Sequence, residues 1–563
     1  MAKSMSTKDV IADKYGLLID GKFVDAASGK TFATTNPATG EHLGEVAEGG
    51  EEDIARAAIA ARKAFEGPWR KMSGTERGRL LRKVADIIRL RQEELSFLDT
   101  FDCGKPISDT RCVDVPMSAE FFDYYGGWCD KITGSTYPVS ETMHNYSRRE
   151  PYGVVGLITA WNFPILNASI KIAPAIACGN TCILKASELT PLSAIELGKI
   201  CLEAGIPEGV VNVVPGYGEI AGEALVKHPD VDKVAFTGST AIGKHIMKTA
   251  AETMKAVTLE CGGKSANIVY PDADIEAAVY YAAFGVFINS GQECVASSRL
   301  FLHKDIHDAF MKRLVEVTNN IRVGDPLDEN TIQGSLVSKE QYDKTLRYIE
   351  IGKKTATLAC GGEALTEPPF DKGFFIRPTV FDGVTNDMQI AREEIFGPVL
   401  SVLTWEDEEE VLRQANDTTY GLAGAVWTRD IANGHEIAKR IQAGTVWINA
   451  TCQFHWCAPF GGTSVPASGE RWARPPSRRS RRLRIFGSIS PAHPTSGRRT
   501  VGRDRRSEHG SYPVLSGQAG PQAGNTCRDA IAEACHHQRV YSPRGGPGGL
   551  LHARGEVGDC AQA

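Results

Sequence analysis

Apolar and polar positions alternate along this chain in two long blocks, and each block predicts strands separated by helices. A second alternating region, from about residue 265 to 450, follows the first. Helical patterns such as Pro191–Ala204 and Gly218–Lys227 separate most of the apolar runs of the first block. Strand–helix alternation predicts βαβ units and a parallel sheet. The apolar runs of the first block are Tyr152–Ala160, Thr181–Lys185, Val210–Pro215, Lys233–Thr237 and Ala256–Glu260.

The N-terminal part has a different pattern. Residues 17–47 read as short strands and turns, and residues 51–66 read as an Ala-rich helix that begins with acidic residues. Acidic side chains are favoured there because they oppose the positive end of the helix dipole. Ser73 and Glu76 have capping-box spacing ahead of the helical stretch GRLLRKVADIIRLRQEEL.

Composition excludes several classes of protein. The chain has 563 residues, of which 42% are hydrophobic and 23% charged, as in ordinary globular proteins. It has no apolar run of membrane-spanning length and no signal-peptide core, so we expect no membrane association and a cytoplasmic location. The histidines show no metal-ligand spacing, so no metal site is expected.

Charge divides the chain after Gly462. The last 101 residues contain 16 Arg and no Lys and have a net charge of +9, whereas the first 462 have a net charge of −15. The composition of the tail predicts disorder. An Arg-rich run at 471–484 is also typical of a segment that binds acidic partners, although the total net charge of −6 does not favour a nucleic-acid-binding protein.

Two residues have the chemistry of a nucleophile and a base. Cys294, in INSGQECVASSR, is surrounded by small residues and could act as a thiolate nucleophile. Glu260 ends an apolar strand before two glycines and could act as a general base on water. Taken singly, each has a plain alternative: a small buried core thiol for Cys294 and an exposed loop acid for Glu260.

Two further patterns are suited to binding. Asn162 follows the strand Tyr152–Ala160, and its amide could donate to a developing oxyanion; the alternative is a simple turn before Pro164. The segment FTGSTAIGK takes a strand into a Gly-Ser-Thr turn and a helix, where backbone N–H groups can hold a pyrophosphate. It lacks the full GxGxxG pattern and could equally be an ordinary helix cap.

The order and spacing of these segments resemble the aldehyde dehydrogenase superfamily over roughly residues 17–462. The resemblance also includes IDGKFV and NPATGE near the N-terminus, LKASE, and EEIFGPV. Within the superfamily the chain is most similar to the NAD-dependent branch that includes betaine-aldehyde dehydrogenases.

The resemblance implies an α/β fold with a Rossmann-like NAD-binding domain, an α/β catalytic domain and a small oligomerisation element. The implied domains are NAD-binding at 1–125 and 152–262, an oligomerisation hairpin at 126–151, a catalytic domain at 263–462 and an atypical basic tail at 463–563. A homodimer or homotetramer is expected of relatives.

The resemblance also implies a mechanism for oxidising an aldehyde to its carboxylic acid. Cys294 attacks the aldehyde carbon to form a thiohemiacetal, while Asn162 and the backbone N–H of Cys294 hold the oxyanion. Hydride transfer to NAD leaves a thioester, which water activated by Glu260 hydrolyses. Relatives that acylate coenzyme A usually lack an acid at the position of Glu260, so hydrolysis is favoured over that alternative.

Relatives hold NAD through residues that match several positions here. Lys185 and Glu188 are expected to bind the adenosine ribose, where the acid disfavours a 2′-phosphate and so NADP. The remaining expected cofactor contacts are Trp161, Gly238, Ser239, Gly243, Glu394 and Phe396.

The substrate is less defined. Positions that line the substrate tunnel of relatives match Phe163, Ile170, Glu293 and Phe460, and Trp456 could form another wall. Betaine-aldehyde enzymes tend to have an aromatic box for a quaternary ammonium, and Ile170 replaces one aromatic member. Glu293 could attract a cationic aldehyde or instead pair with a neighbouring base. A generic aliphatic or aromatic aldehyde is the alternative substrate.

The chain departs from the family after Pro459–Gly462. Relatives continue with an aromatic-Lys-x-Ser-Gly-x-Gly-Arg-Glu pattern, whereas TSVPASGER follows here. Suitable codons for this stretch, shifted by one nucleotide, encode the family pattern, so we hypothesise a frameshift. Loss of the C-terminal strand would leave a sheet edge unpaired. The alternative function is therefore an inactive or aggregation-prone product whose basic tail binds acidic partners.

Overall fold

The computed structural model describes residues 6–463 and the short strand Ile485–Ser488. The predictions of a disordered or frameshifted segment at 463–563 fall outside these residues, apart from Thr463 and that strand. Within the described part of the chain, no helix combines the length and the apolar surface that a membrane crossing requires.

Seven strands form the first sheet, and its predicted parallel character is confirmed for five of them. The remaining two strands add antiparallel at one edge. The parallel strands are almost wholly buried, as expected where helices cover both faces. In sheet order the strands are Ala256–Glu260, Lys233–Thr237, Val154–Ile158, Thr181–Lys185, Val211–Val213, Leu17–Ile19 and Lys22–Val24.

The helices around this sheet follow the predicted pattern with two differences. The predicted helix Gly218–Lys227 is divided into Gly218–Gly222 and Glu223–Lys227, and the stretch after Ser73 is broken. The capping box of Ser73 and Glu76 is present, but the helix it starts ends at Leu90, and a second helix begins at Gln92. The longer helices are Glu51–Glu66, Gly74–Leu90, Gln92–Cys103, Val115–Trp128, Pro164–Ala177, Leu192–Glu203 and Thr240–Ala251. Shorter segments are Thr7–Val10, Pro68–Lys71, Ile107–Asp109, Thr110–Asp114, Gly218–Gly222 and Glu223–Lys227.

Two small sheets accompany this half, and all their pairings are antiparallel except that of Lys14–Tyr15 with His42–Ala47. Lys14–Tyr15, His42–Ala47 and Thr31–Thr35 form a three-stranded sheet. Ser135–Ser140 and Met143–Ser147 form a hairpin inside the segment 126–151, with nearly every residue exposed. A two-stranded hairpin is at best marginally stable alone. Its role in assembly stays a prediction.

Eight strands form the second sheet, and seven of them come from the region where the sequence predicts a second alternating block. The eighth, Ile485–Ser488, pairs with Thr445–Ile448 and lies in the segment predicted to be disordered. All neighbouring pairs are parallel except the first. In order the strands are Thr357–Cys360, Thr379–Asp382, Val399–Trp405, Arg299–His303, Ala266–Val269, Ala423–Trp427, Thr445–Ile448 and Ile485–Ser488. Ala364–Leu365 and Phe375–Ile376 pair separately. The helices of this half are Ile275–Phe287, His307–Asn319, Lys339–Thr355, Gln389–Arg392, Glu408–Asn416 and Ile431–Arg440, with the 3₁₀ segment Ile288–Gly291.

Buried carboxyls on the helix Gln92–Cys103 fix the ends of two neighbouring helices. Asp99 accepts from the backbone N–H of Ile165 at 3.3 Å, and Asp102 accepts from that of Leu192 at 2.9 Å. Burial raises the pKa of Asp99 to about 7 and that of Asp102 to about 8. The first of these contacts holds the start of the helix that follows Asn162.

A buried ion pair lies next to these carboxyls. Lys105 Nζ and Asp114 Oδ2 are 2.6 Å apart, and each side chain is 1% exposed. Removing one member of such a pair leaves an uncompensated charge in a medium of low dielectric constant, which costs more free energy than the intact pair contributes.

We expect Lys105→Met to lower the free energy of unfolding by about 3–5 kcal/mol, because the Asp114 carboxylate would lose its buried counter-charge. The double variant Lys105→Met/Asp114→Leu should recover most of that loss. Urea unfolding followed by tryptophan fluorescence measures both. Lys63→Met, which removes one exposed member of the surface pair with Asp20, is the control. Equal losses in the single and double variants would contradict the prediction.

Candidate active site

Cys294 lies in the loop that joins the 3₁₀ segment Ile288–Gly291 to the strand Arg299–His303. Its side chain is half-buried. The hydrophobic side chains Val295 and Leu422 belong to the small apolar cluster against which Cys294 packs. The thiol is therefore partly accessible while its backbone is held from one side.

Three consecutive residues with positive φ turn the chain just before Cys294. Asn289, Ser290 and Gly291 have φ values of 48°, 56° and 74°. At Gly291 a Cβ atom would lie 2.1 Å from the carbonyl oxygen of Gly397, so no side chain fits. L-residues rarely adopt this conformation, and the loop keeps it through hydrogen bonds.

Side-chain amides and backbone carbonyls supply those bonds. Asn162 Nδ2 donates to the carbonyl of Gln292 at 2.9 Å, and Asn289 Nδ2 donates to the carbonyl of Asn162 at 2.8 Å. The Gln292 side chain accepts from the backbone N–H of Val337 at 3.0 Å. Asn162 thus lies beside the Cys294 loop, and its Nδ2 has a second hydrogen for another acceptor.

Glu260 ends the strand Ala256–Glu260 and is 3% exposed. The two glycines after it pass close to the nucleophile loop, since a Cβ at Gly263 would lie 2.2 Å from the carbonyl oxygen of Cys294. The backbone just after Glu260 therefore lies against the loop that carries the thiol.

Glu394 contacts the same two glycines. Its Oε1 accepts from the backbone N–H of Gly263 at 2.9 Å, and a Cβ at Gly262 would lie 2.2 Å from its Oε2. Burial raises the pKa of the Glu394 carboxyl. Phe396 follows with φ 60°, and its ring meets that of Trp161 edge-on at 5.2 Å.

Lys185 and Glu188 form a pair at the carboxyl end of the strand Thr181–Lys185. Lys185 Nζ lies 2.7 Å from Glu188 Oε2; the lysine is buried and the acid is partly exposed. A carboxylate in this position can accept hydrogen bonds from hydroxyl groups of a ligand.

The segment FTGSTAIGK forms the predicted strand, turn and helix. Ser239 caps the helix Thr240–Ala251, with its hydroxyl accepting from the N–H of Ile242 at 3.4 Å. A Cβ at Gly238 would lie 2.5 Å from the ring of Phe236, and one at Gly243 would lie 2.7 Å from the Cys261 sulfur. Helix N-termini of this kind suit anionic groups.

Phe163 and Phe460 lie in different aromatic settings. The Lys105 ammonium sits 3.5 Å from the centroid of the Phe163 ring. Phe460 meets Phe454 edge-on at 5.5 Å, and both pack against the apolar cluster that Cys294 contacts.

The three other predicted tunnel residues lie in different parts of the fold. Ile170 is half-buried on the helix Pro164–Ala177, and Trp456 stacks on His455 at 4.0 Å. Glu293 is 7% exposed, and its Oε2 accepts from Cys452 Sγ at 3.6 Å. No basic nitrogen within residues 6–463 lies within the 4.0 Å ion-pair distance of this carboxyl, so the alternative of pairing with a neighbouring base does not hold there.

Three residues that form contacts around the Cys294 loop are missing from the sequence prediction. Asn289 and Gln292 stand inside the quoted motif INSGQEC, where two amides around a glycine could have indicated a hydrogen-bonded turn. Cys452 carries no local signal, because it meets Glu293 only in the folded chain.

Comparisons with known proteins identify relatives of this chain. A family model described as "Aldehyde dehydrogenase family" matches residues 23–472. An Arabidopsis thaliana protein named "Aldehyde dehydrogenase family 2 member B4, mitochondrial" is 48% identical over 456 residues, covering 80% of this chain and 84% of that protein. The human protein "Aldehyde dehydrogenase, mitochondrial" is 47% identical over 457 residues, covering 80% and 88%. The NAD⁺ complex of an aldehyde dehydrogenase from Bacillus cereus superposes with a TM-score of 0.79 at 48% identity, covering 81% of this chain and 93% of that one.

We expect Gly291→Ala to lower the free energy of unfolding by at least about 3 kcal/mol, from left-handed strain of 1–2 kcal/mol plus collision with Gly397. Gly29→Ala is the matched control, since Gly29 has φ 69° but open space around its Cβ; only the strain applies there. Thermal unfolding measures the difference, and the rate of Cys294 alkylation reports on the loop. Equal midpoints for the two variants would contradict the proposed steric clash.

Proposed function

The chain belongs to the aldehyde dehydrogenase family, and we propose that Cys294, Asn162 and Glu260 carry out its NAD-dependent oxidation of an aldehyde to the carboxylic acid. One observation carries this proposal: the amide network that draws Asn162 and the Cys294 loop together, with the glycine turn after Glu260 against the same loop. A nucleophile, an oxyanion donor and a base are what acyl chemistry on a thiol requires.

The proposed steps divide between these groups. Cys294 Sγ forms a bond to the aldehyde carbon, giving a thiohemiacetal whose oxygen is held by Asn162 Nδ2 and the Cys294 backbone N–H. When bound, NAD would supply the hydride acceptor for the hydrogen on the carbon of this adduct, whose loss leaves a thioester on Cys294. Glu260 then takes a proton from water, the resulting oxygen nucleophile attacks the thioester carbon, and the Cys294 sulfur leaves.

The residues expected to hold NAD fit that group. The turn at Gly238 excludes a Cβ and precedes the helix capped by Ser239, which suits a pyrophosphate. Glu188, oriented by Lys185, can accept the ribose hydroxyls, and its charge repels a 2′-phosphate. We propose that Glu394, held by Gly263, takes the second ribose, and that Trp161, Gly243 and Phe396 complete the site.

The class of aldehyde that the chain oxidises and the origin of its C-terminal tail are proposals. Resemblance to betaine-aldehyde enzymes supports an aldehyde with an ammonium tail, with Phe163, Ile170, Trp456 and Phe460 as the proposed tunnel. The domain limits, the homodimer or homotetramer, the cytoplasmic location and the frameshift stay predictions. The alternative of a silent product with a binding tail is not favoured by the relatives, which are named as aldehyde dehydrogenases.

We expect Cys294→Ala to reduce NADH formation at least 1,000-fold, on the order of the loss seen when a covalent nucleophile is removed. NADH appearance at 340 nm with propanal and NAD measures it. Cys360→Ser, at a thiol outside the proposed site on the strand Thr357–Cys360, is the control and should keep wild-type turnover. Equal rates in Cys294→Ala and wild type would rule out the assigned nucleophile.

We expect Glu260→Gln to form about one equivalent of NADH per site in a burst and then turn over about 10²–10⁴-fold more slowly, because the loss of general-base catalysis slows hydrolysis. Stopped-flow absorbance resolves the burst, and mass spectrometry should find the acyl group on the Cys294 peptide. Added hydroxylamine, which cleaves thioesters without a base, should restore turnover in Glu260→Gln but not in Cys294→Ala. A variant with no burst and no acyl adduct would show that Glu260 acts before hydrolysis.

A further inference from the structure

A buried carboxyl stands directly before the proposed nucleophile. Glu293 is 7% exposed, and its Oε2 lies 3.6 Å from Cys452 Sγ. Cys452 packs, together with Cys294, Phe454 and Phe460, against one small apolar cluster. The carboxyl therefore belongs to the group of side chains around the thiol, in a site where both cysteines and both rings stay half-buried.

This carboxyl has no cationic partner in the part of the chain that the structure describes. Within residues 6–463, no lysine, arginine or histidine nitrogen approaches it to 4.0 Å. Lys105, the cation whose charge acts on it, is already bound to Asp114 at 2.6 Å and rests on the ring of Phe163. A thiol is a weak donor and neutralises no charge.

A second carboxyl increases the excess of negative charge. Asp109 is 5% exposed, and its Oδ2 has no hydrogen-bond partner among the described residues. It acts electrostatically on the same group, so four carboxyls, of Asp99, Asp109, Asp114 and Glu293, interact with the ammonium of Lys105. Burial raises the pKa of Glu293 to about 7 and that of Asp109 to about 7, as expected for carboxyls short of counter-charge.

We infer that the site selects aldehydes whose tail carries an ammonium group, and that Glu293 is the residue that recognises the cation. The inference rests on the proposed function and deepens it. An ammonium near Glu293 supplies the missing counter-charge in a buried site, where the attraction is stronger than in water. The rings of Phe454 and Phe460 are half-buried, and aromatic rings attract cations. An uncharged tail of the same shape lacks this attraction.

The test compares two aldehydes of the same shape. Trimethylammonioacetaldehyde carries the cation, and 3,3-dimethylbutanal replaces its nitrogen with carbon. The measured quantity is the ratio of their kcat/KM values, which cancels general losses of activity. We expect Glu293→Gln to lower the cationic-to-neutral ratio at least tenfold, or about 1.4 kcal/mol. Glu293→Asp, which keeps the charge, should retain most of the preference.

Two controls separate recognition from folding. Glu350→Gln removes an exposed carboxyl on the helix Lys339–Thr355 and should leave the ratio unchanged. Thermal unfolding of each variant establishes that it is folded. A ratio that stays the same in Glu293→Gln while the enzyme oxidises both aldehydes would overturn the inference and leave the proposed function intact.

A second measurement keeps the inference testable without turnover. If neither aldehyde yields NADH, the proposed function fails for this chain, and binding decides the inference separately. Choline and 3,3-dimethylbutan-1-ol form the matching pair of non-reacting ligands, titrated into the full chain by calorimetry. Choline should bind at least tenfold more tightly, and Glu293→Gln should abolish the difference. Equal affinities for the two ligands would overturn the inference.

Discussion

The hydrogen bonds between side-chain amides and backbone carbonyls around Asn162 are the interaction on which the site depends. Asn162 comes from the loop after a strand of the first sheet, and Asn289 and Gln292 precede the nucleophile at the entry to the second sheet. Two loops more than a hundred residues apart are thereby fixed to one another. Without these bonds, the left-handed turn at Asn289–Gly291 would relax, since its φ values are unfavourable for the two non-glycine residues.

The glycines of the site act by letting backbone segments approach. Gly263 allows the turn after Glu260 to pass the carbonyl of Cys294, and Gly291 allows the nucleophile loop to pass Gly397. Each approach is closer than any side chain permits. The chain segments that carry Cys294, Glu260 and Asn162 therefore lie against one another although they are distant in the sequence, which is the arrangement that the proposed covalent catalysis needs.

Buried charge links stability to the site. Asp99 holds the start of the helix after Phe163, and the Lys105–Asp114 pair lies against the Phe163 ring. Removing charged groups from water is unfavourable unless they are paired. Burial raises the pKa of Glu293, and Lys105 and Asp114 both act on its charge, so the region that anchors the helices also influences the charge near the proposed nucleophile.

Local patterns in the sequence determined much of the architecture. Three predicted strands, including Ala256–Glu260, have the bounds found in the structure, and the capping box at Ser73 is present, because apolar runs and caps act over a few residues. The break at Arg91 was not predicted, since the apolar spacing continues through it. Only the tertiary structure decided that Glu293 contacts Cys452 and that no basic side chain of residues 6–463 pairs with it. Those contacts join residues 159 positions apart, and no local pattern encodes which side chains the folded chain brings together.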